Sequence, residues 1–504
     1  MQGAPGDGRG PRARGGLGAR PSSAAAAHGE GWSVRPGTGA VPGGEGSARG
    51  RARSQGFTLF LSCYDLEIGG MTRPRNLLAR PAKPLYSITE HNYSIDELAP
   101  RINRCPAFPM PFQRALVSQL ASAFSRHPPV IHAVVGPRQV GKTTAAHQLV
   151  QTLGWQAVMA VADAPVPHPP EWIESQWRLA RLKSGPAREP VLLVLDEIQK
   201  VPGWSEMVKR LWDAETASGG AVRPLLLGSS ALLVQKGLTE SLAGRFFLHR
   251  CMHWSWPECR DAFGWSLDSW LFFGGYPGAA AWVHDEPAWK RYVMDSLVET
   301  VLARDVLQLQ SIHKPALLRH LFGLATQHPA QILSYNKMLG QLADAGNTTT
   351  LAGYLRLLET AFLASGLEQH SRGRQRLRGS SPKLILWNNA LVHAAGLRSM
   401  QQAMGDPAGW GRIVENAVGA HLLNGLPGPD WLVTYWRDGT HEVDFVVSHG
   451  ERDWAIEVKS GRPRANSGMA AFRRRHPHCD VWLLGSDGIP IEEFLARPAA
   501  EWFG

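Results

Sequence analysis

The chain has 504 residues, 44% hydrophobic and 19% charged, with a formal net charge of +10 at pH 7. That length accommodates several domains at roughly 100–200 residues each, and the basic balance is compatible with a polyanionic partner such as DNA. No apolar run approaches the ~20 residues that span a bilayer, and five scattered cysteines imply no disulfide framework, so a cytoplasmic protein without a membrane partner is expected.

Residues 1–70 are rich in Gly, Ala and Arg and nearly free of aliphatic clusters. Such a segment buries too little apolar surface to offset its ordering entropy, so it reads as disordered. Met71 begins a more ordinary sequence, and an over-extended start is one reading of what precedes it. Residues 71–128 form an N-terminal extension. In it Phe112, Ala115, Leu116, Leu120 and Phe124 recur at helical spacing and predict a helix packed on the following domain.

Residues 129–262 alternate strand and helix signals, as a parallel α/β sheet requires. Candidate strands cover 130–135, 156–162, 191–195, 224–228 and 246–251. The first runs into Gly136-Pro137-Arg138-Gln139-Val140-Gly141-Lys142-Thr143-Thr144, which fits the P-loop pattern Gly-x-x-x-x-Gly-Lys-[Ser/Thr]. In such a loop the amide N–H groups line an anion-sized hollow, and the helix that follows adds a partial positive charge. Lys142 is expected to reach the β- and γ-phosphates of ATP, and Thr143 to place its hydroxyl on Mg²⁺.

The strand Val191–Leu195 ends in Asp196-Glu197, where parallel sheets bind ligands. Asp196 is expected to hold the Mg²⁺ with Thr143, and Glu197 to orient or deprotonate the attacking water. The next strand ends in Ser229-Ser230, placed to position that water. Arg245 follows a short helix and is a candidate for stabilising transition-state charge, with a surface ion pair as the equal alternative. The group His249, Cys251, His253 and Cys259 reads as core rather than as a zinc site.

These motifs, with Leu195-Asp-Glu-Ile-Gln-Lys200, Ser241-Leu-Ala-Gly-Arg245 and Gly274-Gly-Tyr-Pro-Gly278, resemble the prokaryotic AAA-superfamily ATPases that carry a C-terminal domain of unknown function. The resemblance implies Asp196 and Glu197 as Walker B residues and Ser229 or Ser230 as sensor. Residues 263–310 then read as a helical lid containing one helix over Trp289–Leu309. There Arg304 is a second arginine candidate, and a surface ion pair is its commoner reading.

Residues 311–380 suggest a winged helix. Asn347-Thr-Thr-Thr350 supplies cap-type residues before a recognition-helix candidate at Leu351–Leu363. Arg372-Gly-Arg-Gln-Arg-Leu-Arg378 then places four arginines on alternate positions, which in a strand share one face and suit a phosphate backbone.

Residues 381–504 read as a second α/β unit. Two strands carry Asp444 and Glu457-Val-Lys459, and Glu415 lies in an amphipathic helix before them. Glu457 and Lys459 fall on one face of their strand. This is similar to the PD-(D/E)XK nuclease, or restriction-endonuclease-like, superfamily. That resemblance implies a second divalent-metal site from Glu415, Asp444 and Glu457 with Lys459 assisting. A basic run (Arg462, Arg464 and Arg473–Arg475) follows.

Three functions stay open on these grounds. The chain is an Mg²⁺-dependent ATPase coupled to DNA or a protein partner, an ATP-regulated nuclease, or a nucleotide-binding regulator with negligible turnover. Assembly into an oligomer is compatible with each.

Overall fold

In the computed structural model, the residues described are 112–504 except 127, 230–237, 239–240, 307–313, 343–345, 372–380, 427 and 462–466. The expected disordered segment 1–70, the stretch 71–111, Ser230, the arginine-rich stretch 372–378, Arg462 and Arg464 therefore lie outside the described residues. So does the side chain of Arg304.

Five strands form one parallel sheet: β1 (Ile131–Val135), β2 (Gln156–Val161), β3 (Val191–Asp196), β4 (Val222–Gly228) and β5 (Phe246–Arg250). Their spatial order is β2-β3-β4-β1-β5. Every residue of β3 is buried, as a strand covered on both faces requires. Its fully buried leucines contribute on the order of 1.5–3 kcal/mol each.

Helices α1 (Ala115–Phe124) and α2 (Lys142–Leu153) share a core with one face of this sheet, through Leu116, Leu120, Leu149, Val134, Val194 and Leu225. Helices α3 (Glu171–Lys183) and α4 (Trp204–Ala217) fill the other face with Trp177, Trp204 and Trp212 against Leu193 and Leu195. The helix expected before the P-loop is thus present and packed on the sheet.

The order of strands has a consequence for chemistry. β4 lies between β1 and β3, and all three run parallel. The residues at their C-terminal ends therefore meet at one edge, with Ser229 between the P-loop and Asp196-Glu197.

Beyond the sheet, helices Trp256–Phe263 and Leu267–Phe273 start at Ser255 and Ser266. The helix expected over 289–309 is present as a continuous helical run from Glu286 to Val306, α-helical over Glu286–Arg291 and π-helical over Tyr292–Val298 and Val301–Val306, with 307–309 outside the described residues. Wider turns of this kind re-aim side chains within a helical run and occur often at functional sites.

The next segment runs through helix Pro315–Gln327, β6 (Gln331–Ile332), helices Tyr335–Gln341 and Thr348–Thr360, then β7 (Ala364–Leu367) and β8 (Lys383–Leu386). These strands pair antiparallel in the order β6-β8-β7. Ser334 and Asn347 cap their helices through Lys337 N–H and Thr350 N–H, and such caps typically contribute about 1 kcal/mol each.

The C-terminal unit is a four-stranded sheet of order β12-β11-β10-β9, comprising β9 (Trp431–Asp438), β10 (His441–His449), β11 (Arg452–Lys459) and β12 (Asp480–Gly485). Helix Pro407–Gly425 packs on one face through Val414, Val418 and Phe445, and helix Ser467–Arg475 on the other through Phe472, Trp436 and Val446. Between Val443 and Val446 the register of β10 against β9 shifts. Asp444 and Phe445 sit in that bulge, a feature that redirects side chains.

Candidate functional site

The two glycines of the P-loop pattern are needed for different reasons. Gly141 has φ +92° and caps α2, a conformation that a side chain disfavours. At Gly136 the constraint is space, because an added Cβ would lie 1.9 Å from the Cys251 carbonyl oxygen. Cys251 N–H donates to the Val135 carbonyl at 2.8 Å, so the end of β1 is clasped by the chain leaving β5.

Behind the loop, Arg114 Nη1 and Trp254 Nε1 both donate to the Val140 carbonyl, at 3.2 and 3.0 Å. Arg114 is itself anchored to Glu258 at 2.7 Å. Nothing local in the sequence links residues 114, 140, 254 and 258. The capping position of Glu258, three residues after Ser255, is the one signal that marks it.

A cavity of about 300 Å³ opens at this edge, lined by Arg138, Gln139, Gly141, Lys142, Thr143, Thr144, Asp196, Glu197, Ser229 and Ser296. Lys142 is buried, and burial holds its ammonium below the usual lysine range despite nearby Cys251, Glu197 and Asp196. Its Nζ donates to the carbonyls of Gly136 and Pro137 at 3.0 and 2.6 Å. A phosphate entering the hollow competes for this ammonium with the loop's own backbone.

Thr143 Oγ1 donates to Asp196 Oδ2 at 2.5 Å, and the other oxygen of Asp196 accepts from Glu197 N–H at 2.8 Å. A threonine hydroxyl and a carboxylate in contact supply the hard oxygen donors that Mg²⁺ prefers, so the residues fit that ion. Glu197 occupies the left-handed region with φ +54°, a local strain that surrounding contacts must hold. Its Oε2 accepts from Ser229 Oγ at 3.0 Å and from Gln199 Nε2 at 2.7 Å. Gln199, which sequence reasoning missed, reaches Glu197 because Ile198–Lys200 form a 3₁₀ turn.

The helical segment also enters the site. Ser296 lines the cavity, and the Tyr292 hydroxyl donates to Gln139 Oε1. Neither residue was legible beforehand, because the π-helical turn that aims them was read as ordinary helix.

Arg245 requires a correction. It forms a two-point ion pair with Asp213 on α4, at 2.7 and 3.2 Å, and its carbonyl accepts from Ile131 N–H. It therefore sits at the start of β1 and β5, whereas the P-loop follows the end of β1. Five strand residues separate those ends, on the order of 17 Å. Arg245 does not reach the phosphate cavity of its own chain.

A second cavity of about 590 Å³ is lined by Arg114 and Trp254 with His253, Asn388 and His421, and by none of residues 136–144.

The four residues of the expected C-terminal site also converge. Glu415 projects from helix Pro407–Gly425, Asp444 from β10, and Glu457 and Lys459 from β11. Lys459 Nζ contacts Glu457 Oε1 at 2.5 Å. A fifth residue, absent from the sequence reading, stands among them: Lys383 of β8, whose fully buried Nζ lies 2.6 Å from Glu415 and 3.1 Å from Asp444. Burial and the neighbouring Asp444 push Glu415 up to about 8 and Glu457 up to about 7. Asp444 stays below the usual range: burial alone would raise it, but Lys383 and the Val458 N–H hold it down.

Comparison with known proteins agrees with the first of these sites. Residues 129–259 match a family described as an AAA domain. Residues 264–402 and 410–495 match two families, each described as a domain of unknown function (DUF8612 and DUF4143). An uncharacterized protein of Haemophilus influenzae is 23% identical over 309 residues, covering 57% of this chain and 72% of the relative. Another from Methanocaldococcus jannaschii is 23% identical over 287 residues, covering 53% and 60%. A solved Walker-type ATPase of Pyrococcus abyssi aligns with 56% of this chain and 95% of its own, at 14% identity and a TM-score of 0.39. Residues 129–259 thus combine a match to an AAA domain with the geometry of a P-loop, and are followed by two segments that match domains of unknown function.

Proposed function

We propose that this protein hydrolyses ATP with Mg²⁺ in the cavity at the edge of the parallel sheet, and couples nucleotide state to a partner held by its C-terminal half. The observation that carries this reading is the Thr143–Asp196 contact of 2.5 Å, flanked by a Glu197 carboxylate oriented by Ser229 and Gln199. Lys142 and the loop amides hold the triphosphate, and Thr143 with Asp196 holds the ion. Bound Mg²⁺ would neutralise charge on the phosphoryl oxygens. Glu197 accepts the proton of the attacking water, and Ser229 keeps that carboxylate facing the cavity. Catalysis of this kind is mostly positioning and charge stabilisation.

Coupling to the rest of the chain has a physical route. Gln139 belongs to the phosphate loop and contacts Tyr292 of the helical segment, so phosphate binding and the position of that segment are mechanically linked. For the partner, the helix–strand–helix–helix order followed by a β7–β8 pair supports a winged helix. Its third helix, Thr348–Thr360, buries Leu351, Leu355, Leu357 and Leu358, and Arg356 is its one exposed charge. This favours a packing role for that helix over reading DNA bases. A protein partner is the better-supported reading, and DNA remains an outcome of the test.

The test is phosphate release by wild type and Lys142→Ala, with and without DNA, at several salt concentrations. Loss of turnover in the variant supports the assignment, and equal turnover removes it. Stimulation by DNA that falls steeply with salt would restore DNA as the partner.

A further inference from the structure

The C-terminal carboxylates resemble a nuclease metal site, but their surroundings do not fit a divalent metal. Lys383 belongs to β8, in the segment before the C-terminal sheet. Its side chain is 0% exposed. Its Nζ lies 2.6 Å from Glu415 Oε1, 3.1 Å from Asp444 Oδ1, 3.2 Å from the Asp444 carbonyl and 3.5 Å from Glu442 Oε1. The Phe445 ring lies beneath it, 5.1 Å from the ammonium. The remaining oxygen of Asp444, Oδ2, accepts from Val458 N–H at 2.8 Å. Both oxygens of that carboxylate are thus engaged. Lys459 engages one oxygen of Glu457, Oε1, at 2.5 Å. Among the described residues, no group of three or more His, Cys, Asp or Glu side chains is arranged to hold a metal ion.

We infer that Lys383 is a tethered cation standing where a divalent metal would stand, so that this cluster is an ionic lock rather than a nuclease centre. An ammonium held by the chain pairs with Asp444 and contacts Glu415, in the position a metal ion would need in order to bind water or a phosphodiester. It also cannot be displaced cheaply. Moving the ammonium out of the cluster leaves buried carboxylate charge without a partner, and an entering metal must shed its own water.

The lock has a structural role. Lys383 lies within the segment matched at 264–402, whereas Glu415, Asp444 and Glu457 lie within the one matched at 410–495. One buried lysine therefore fixes the β8 strand to both the helix and the bulged strand of the C-terminal sheet. A buried ion pair of this kind sets a unique docking geometry more than it adds stability.

The experiment uses the full chain without nucleotide. Mn²⁺ binding is followed by the EPR signal of the free ion for wild type, Asp444→Asn and Lys383→Met, with plasmid nicking in Mn²⁺ measured in parallel. Wild type and Asp444→Asn are expected to give superimposable isotherms and no nicking. Lys383→Met is expected to bind one further Mn²⁺ at least tenfold more tightly than any site in wild type and to gain a Mn²⁺-dependent rise in Tm. If either variant fails to fold, Glu457→Gln replaces it in the wild-type comparison, with the same isotherm as wild type expected. A Mn²⁺ site in wild type that is lost in Asp444→Asn or Glu457→Gln would overturn the inference. So would nicking by wild type that these variants abolish. A folded Lys383→Met that gains no Mn²⁺ site would also overturn it. None of these readings depends on ATP turnover.

Discussion

Replacing Glu197 with glutamine separates positioning from proton transfer at the ATP site. Glu197 Oε2 accepts hydrogen bonds from Ser229 Oγ at 3.0 Å and Gln199 Nε2 at 2.7 Å. The amide oxygen of glutamine accepts both, more weakly than a carboxylate, so the side chain keeps its place. The left-handed backbone at this residue, φ +54°, costs about the same for either side chain. What disappears is the ability to take a proton. General-base catalysis accounts for about 10²–10⁴ in rate, or roughly 2.7–5.5 kcal/mol of barrier. Single-turnover phosphate release should slow by that factor. Nucleotide binding, followed with a fluorescent ATP analogue, should hold or tighten, since a negative charge leaves a pocket built for a polyanion. Ser229→Ala and Gln199→Ala each remove one of two donors, and each should slow release by about tenfold or less. A Glu197→Gln protein that releases phosphate within about tenfold of the wild-type rate would refute the role given to this carboxylate.

Other consequences follow from the same geometry. Gly136→Ala must push backbone against backbone, since the new Cβ would sit 1.9 Å from the Cys251 oxygen. We expect a loss of about 2–4 kcal/mol in urea unfolding together with lost nucleotide binding, and a wild-type unfolding midpoint would contradict this. Arg245→Ala should leave ATP affinity unchanged at protein concentrations where chains are separate, because Arg245 pairs with Asp213 at the far end of β5. Weakened binding by isolated chains would place it wrongly. Acid should destabilise the fold. Burial pushes His132, His249 and His421 down to about 4 and His253 and His393 down to about 3, below the ordinary value near 6.5. As pH falls through about 6.5 the unfolded chain binds protons that the folded chain refuses, so each histidine removes up to about 1.4 kcal/mol per pH unit. Glu415 and Glu457, raised to about 8 and about 7, act in the opposite sense, but the five histidines outnumber them. Urea midpoints that rise between pH 6.5 and 5 would show the sign to be wrong.

The P-loop was legible because its chemistry is contiguous. Nine residues in a row contain the glycines, the lysine and the hydroxyl, and the apolar run before them marks the strand. Asp196-Glu197 at the end of a five-residue apolar run was legible for the same reason. All five core strands were anticipated to within two residues at each end. The packing helix before the P-loop was visible from its 3.6-residue spacing. What sequence determined, then, is the set of local elements and the candidate residues for phosphate and metal.

Tertiary structure decided how those pieces face one another. Strand order put Ser229 between the loop and the carboxylates, and a 3₁₀ turn brought Gln199 onto Glu197. The parallel direction of β5 sets Arg245, the residue before that strand, at the edge of the sheet opposite the P-loop. π-helical turns aimed Tyr292 and Ser296 at the loop, in a segment whose apolar pattern reads as plain helix. Lys383 meets Glu415, Glu442 and Asp444 from 32 to 61 residues away in the chain. A buried lysine in a short apolar strand carries no mark of its partners until the strand, the helix and the bulge are assembled, because its charge is tolerable only where the fold closes three carboxylates around it.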